Sequence, residues 1–146
     1  MAIYSLGIGG STTVVGTAAS ACWGLLAPSD QATTVLEFIY TTGNTTGGTI
    51  GLGIAAAAGT QTSGVAVQSQ HGTDTTTGHS TGAIAWSAAP TVPSAFFCRA
   101  EAGKVIGDPT IFLFPRGLIV PSSAELVCWN IAATSTTASF TVTVDE

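Results

Sequence analysis

Between Phe140 and Val144, apolar and hydroxyl side chains alternate: Phe140, Val142 and Val144 interleave with Thr141 and Thr143. A backbone of period two puts these on opposite faces, one to bury and one to leave wet, so the segment suits a half-buried strand and not a helix. Similar patterns recur along the chain. Leu36, Phe38 and Tyr40 share a face, with Glu37 opposite. Leu126–Ile131 is apolar on both faces except at Asn130, as expected of a central sandwich strand. Ile111–Phe114 and Gly117–Val120 read as two short strands, broken by Pro115 and closed by Pro121. Further strands are expected at Ile3–Ile8, Thr49–Ala55, Gly64–Gln68, Ala83–Ser87 and Ala95–Ala100. Turn signals separate these runs at intervals of about 8–15 residues, the rhythm of a sandwich or barrel. Ala55–Ala58 offers at most a helical turn, which Gly59 stops. Ser69–Gly82 has no apolar residue and is expected as an exposed polar loop or a long hairpin tip. The expected fold is all-β: one domain over residues 1–146, an antiparallel β-sandwich or jelly-roll-like barrel with that loop at about 69–82.

Charge narrows the function classes. Three basic residues, Arg99, Lys104 and Arg116, stand against eight acidic ones. Three scattered cations cannot displace a phosphate counterion atmosphere, so no nucleic-acid partner is expected. With 45% apolar residues the chain has too much hydrophobic surface to stay disordered. No apolar run approaches the roughly 20 residues that span a bilayer as a helix, and no membrane partner is expected. Ser11–Ala27 superficially resembles an export signal but lacks a basic start and a continuous apolar stretch, so none is expected. Cys22, Cys98 and Cys128 are odd in number and form no C-x-x-C pair, which argues against a zinc site or a disulfide framework.

Four constellations carry potential chemistry. Gly78-His79-Ser80-Thr81-Gly82 matches the nucleophile elbow, but no apolar strand precedes it and no histidine follows it. Gly51-Leu52-Gly53-Ile54-Ala55-Ala56 matches a dinucleotide-binding turn, with Asp74 at a ribose-contact distance along the chain. The helix that such a turn must open is denied by Gly59, and close packing of a glycine-bearing strand is expected instead. His71, Asp74 and His79 share one polar segment and have the side chains to ligate a divalent ion, although their spacing says little. Glu37, Glu101 and Glu125, with the three cations, are expected in salt bridges that fix loops or subunit contacts. No catalytic, cofactor-binding or metal residue is assigned, and no cofactor is expected.

The stretch Phe114-Pro115-Arg116-Gly117-Leu118-Ile119-Val120-Pro121, followed by Leu126-Val127-Cys128-Trp129-Asn130, is the most distinctive part of the chain. With Met1–Gly7 and Ala88–Pro93, it resembles small virion proteins of tailed bacteriophages, most closely the β-sandwich decoration (cement) proteins of capsids. The resemblance implies a non-enzymatic structural protein that binds and stabilises the major capsid protein lattice, often as a trimer. It implies synthesis in a bacterial host cytoplasm and a final place on the capsid exterior. Two features agree. Sparse charge beside abundant apolar surface suits subunit interfaces, and an acidic balance suits the side of a shell away from the genome. Trp23, Trp86, Phe96 and Phe97 are expected to divide between core and contacts. An alternative is a tail, baseplate or fibre component whose Thr41–Thr49 and Ser69–Gly82 segments bind the host surface. A third reading, a jelly-roll hydrolase using an acid such as Glu37, ranks last because the chain has few titratable groups to gather.

Overall fold

The computed structural model describes residues 2–10, 20–43, 45, 48–70, 77–133 and 137–146. These form strands β1 (Ile3–Gly10), β2 (Ser20–Leu26), β3 (Thr33–Thr42), β4 (Gly48–Ile54), β5 (Thr60–Gln61) and β6 (Val65–Ser69). β7 (Thr77–Ala83), β8 (Trp86–Ala88), β9 (Cys98–Ala102), β10 (Pro109–Val120), β11 (Glu125–Ala133) and β12 (Ala138–Asp145) follow, with no helix among the described residues. Ten strands make one antiparallel sheet in the order β10–β3–β12–β1–β6–β7–β2–β11–β4–β9, curled until it is nearly closed. β5 and β8 pair as a separate ribbon. The all-β antiparallel expectation holds.

Alternation builds the core. Ala138, Phe140, Val142 and Val144 of β12 are all buried. On one side they face Leu6 and Tyr4 of β1; on the other they face Tyr40 and Phe38 of β3. Trp23 enters from β2, on the far side of the curled sheet. Its ring lies 4.8 Å from that of Phe38 and stacks at 6.3 Å on Phe140, while Tyr40 meets Phe140 edge-on at 5.5 Å. Burying each such ring contributes roughly 1.5–3 kcal/mol. β11 lies between β2 and β4 and is buried from Glu125 to Asn130, the central strand its sequence calls for. Its Val127 and Trp129 form a second cluster with Ala55, Phe96 and Ile131.

The structure corrects several boundaries. Val35, not Leu36, is buried with Phe38 and Tyr40. Thr143 pairs with Glu37 and Val144 with Val35, so Leu36 is a bulge residue with no partner across either ladder, and the inward phase shifts there. Residues 111–120 form one strand instead of two. Pro115 is accommodated because β10 is a sheet edge, where one side of the backbone has no ladder to complete. The register slips between Leu113 and Leu118, and Gly117 takes a φ of 72° there. A Cβ on Gly117 would also come within 2.3 Å of Thr34 Cγ2, so glycine is needed twice over. Residues 77–82, expected in the polar loop, belong to β7. Ala55–Ala58 makes no helical turn; Ala56 is a bend and Ala57 bridges Thr91. The strand expected at Ala95–Ala100 begins at Cys98, and that expected at Ala83–Ser87 is divided between β7 and β8.

Candidate functional site

Three places bring polar or apolar groups together in ways that packing alone does not require. The first is Glu125, the opening residue of β11, fully buried. Its Oε1 accepts from the indole N–H of Trp86 at 2.8 Å and from Nε2 of Gln61 at 3.1 Å, and its Oε2 accepts from the backbone N–H of Gly59 at 2.7 Å. Gln61 continues the chain, its Oε1 accepting from the Thr81 hydroxyl at 2.9 Å. The buried carboxyl group is therefore met by neutral donors and not by the expected salt bridge. Glu101 likewise accepts from the Thr49 hydroxyl at 2.7 Å. All Glu125 partners come from the β5–β8 ribbon and its approach, so the carboxylate acts as a fastener.

The second place is a groove of about 310 Å³ lined by Leu26, Ala27, Pro28, Ser29, His79, Thr81 and Ser123. β7 shapes it. Ala66 pairs with Thr81 and Gln68 with Thr77, so Gly78, His79 and Ser80 all stand opposite Val67. The carboxylate of Glu146 takes up the amides of this distortion, accepting from His79 N–H at 2.6 Å and Ser80 N–H at 2.9 Å. The Ser80 hydroxyl is fully buried, 2.5 Å from that of Thr33. The elbow-like motif is thus a bulged strand with its serine enclosed. His79 is exposed on the groove, while His71 and Asp74 lie outside the described residues. Among the described residues, no three His, Cys, Asp or Glu side chains gather as metal ligands would.

The third is the open edge of the sheet. The outer face of β10 exposes Ile111, Leu113 and Ile119 at 51, 65 and 63%, and the loop joining it to β9 exposes Val105 and Ile106 at 67 and 66%. Glu37 lies on the same outer face, opposite Leu113 on one side and Thr143 on the other. All three cations lie within β9, β10 and their connection. The glycine-rich 51–56 segment is strand β4 and its exit. A Cβ on Gly51 would meet Phe96 at 3.0 Å, and one on Gly53 would meet Pro93 at 3.1 Å, the close packing expected. Of the aromatics set aside above, Trp23 is in the core, Trp86 holds Glu125, Phe96 covers β4, and Phe97 is 54% exposed. Sequence reasoning did not find the Glu125 fastener, whose partners lie 39–66 residues away along the chain. Compared with protein-family models, curated proteins and solved structures, the chain matches none.

Proposed function

We propose that the chain is a non-enzymatic structural protein of a tailed-phage particle, a decoration protein that binds and stabilises the major capsid lattice from outside as a homo-oligomer. The observation that carries this reading is the outer face of β10, where Ile111, Leu113 and Ile119 stand in solvent with Arg116 among them. Aliphatic side chains beside an arginine are the composition of a protein contact, and exposed apolar side chains on a free edge favour covering by another protein. Pro109, Pro115 and the Gly117 bulge deter pairing of a further strand on β10, so the face suits side-on packing. The resemblance of residues 114–130 to decoration proteins supports the same reading, since this segment ends the exposed edge strand and enters β11.

Quantitative mass spectrometry of purified particles tests it. A copy number near that of the major capsid protein, or a simple fraction of it, is the expected result. A handful of copies per particle would move the chain to the tail or baseplate and favour host binding, and absence from particles would overturn both.

A further inference from the structure

The β9–β10 connection and the His79 groove lie at opposite ends of the sheet. Gly107 N–H donates to the carbonyl of Thr42 and Thr42 N–H to that of Asp108, which places the connection at the last residue of β3. Pro28 and Ser29 of the groove belong to the turn that enters β3 before Thr33. Ten residues of strand separate the two, roughly 30 Å. Val105 and Ile106 are the most exposed large hydrophobic side chains described, and Lys104 stands beside them between Gly103 and Gly107. Leu26, Ala27 and Pro28 give the groove an aliphatic part beside Ser29, His79, Thr81 and Ser123, and exposed Asp30 follows Ser29 in the chain. Glu146 adds a second carboxylate, already shared with the His79 and Ser80 amides.

We infer that these two features are the halves of one contact: the Lys104-Val105-Ile106 tip of one copy docks in the His79 groove of the next, with Lys104 on Asp30. The chemistry matches on both counts. Two branched aliphatic side chains meet a groove whose surface is mostly apolar and large enough to hold them, and the one cation of the tip meets the exposed carboxylate that follows groove residue Ser29. One chain cannot make the contact with itself across the length of β3, so a second copy is required. The contact joins unlike surfaces, tip to groove, so copies add head to tail and either close into a ring or continue. This inference does not rest on the shell-binding reading, because it concerns the purified chain alone.

Sedimentation velocity of the purified full chain, from low to high micromolar concentration, tests it. The expected result is a mass that rises with concentration and less steeply at high salt. Ile106→Asp, which puts a charge on the tip, and Ser29→Trp, which fills the groove, should each hold the protein at the mass of one chain, with unchanged circular dichroism showing that it still folds. Lys104→Glu and Asp30→Lys should each weaken association several-fold, and an equimolar mixture of the two should recover it, since each tip then meets a groove of opposite charge. A single-chain mass at every concentration would overturn the inference. So would association that survives both Ile106→Asp and Ser29→Trp. Capsid binding is not measured, so failure here and failure of the shell reading are separate results.

Discussion

The indole N–H of Trp86 donates to Oε1 of Glu125 across 2.8 Å, tying the short ribbon strand β8 to the first residue of the central strand β11. The ribbon has little hydrophobic surface of its own to bury. The two residues of β5 and three of β8 include only Trp86 and Ala88 as apolar members. Its attachment therefore relies on hydrogen bonds, three to one enclosed carboxyl group and two between Gln61 and Thr81.

Glu125→Ala should be among the most damaging substitutions in the chain. It leaves the Trp86, Gln61 and Gly59 donors facing a cavity, and the cost should reach at least about 3 kcal/mol. Glu125→Gln keeps an acceptor oxygen in place and should retain a larger part of the stability. Urea denaturation of the two variants checks the order, and equal stability of Glu125→Ala and the parent would show that the ribbon is not fastened there.

Gly24 leaves the room this arrangement needs. A Cβ at Gly24 would lie 2.5 Å from Glu125 Oε1 and 2.9 Å from Trp86 Cζ2, in the middle of the pair. Gly24→Ala should cost about 1–3 kcal/mol by overpacking. It should also change Trp86 fluorescence, whereas Gly7→Ala, whose Cβ would meet nothing nearer than 3.6 Å, should be milder on both measures.

Two aromatic residues predict opposite outcomes. Trp129 is buried in the second cluster beneath β11, and Trp129→Ala should cost about 3–5 kcal/mol. Phe97 is 54% exposed, and Phe97→Ala should change stability by less than about 1 kcal/mol. Chemical denaturation of both gives the comparison.

Alkaline pH should loosen the fold through Cys128. Burial, with the neighbouring Cys22 thiol adding to it, raises its thiol pKa well above the ordinary range. The folded chain thus keeps a proton that the unfolded chain gives up. This contribution to stability is fully present below the unfolded thiol pKa of about 8.5 and is lost as the pH rises towards the folded value. Over that window the group should remove up to about 1.4 kcal/mol per pH unit. Urea midpoints should fall with pH across this range, and Cys128→Ala should flatten the fall. A parent curve as flat as that of the variant would refute the assignment.

Much of the fold was legible because burial in a curled sheet follows the pleat. Phe140, Val142 and Val144 lie where alternation puts them, and β11 is buried on both faces as its composition demands. Alternation failed where the register itself slips. Counting in twos points Leu36 inward because nothing local marks a bulge, and Pro115 looks like a break in the sequence although an edge strand tolerates it. Thr77–Gly82 looks like loop because its residues are polar, yet the partner of Ser80 is the Thr33 hydroxyl, 47 positions away. The Glu125 network was hidden for the same reason: a glutamate beside an apolar run looks like a strand end in water until Gly59, Gln61 and Trp86 arrive from elsewhere.

The bulge at Leu36 has a consequence for what the chain can tolerate. Every other residue of β3 keeps its orientation by counting in twos from one side of Leu36 or the other. Removing that single residue would rejoin Val35 to Glu37 and leave each remaining side chain on the face it already occupies. Deleting Glu37 instead would do the same, with Leu36 taking the outward place, whereas a deletion in the middle of either flank would turn the residues between it and the bulge to the other face. β3 thus carries one residue more than its alternation needs, and natural or designed shortening of this strand can remove either Leu36 or Glu37 without rewriting the core.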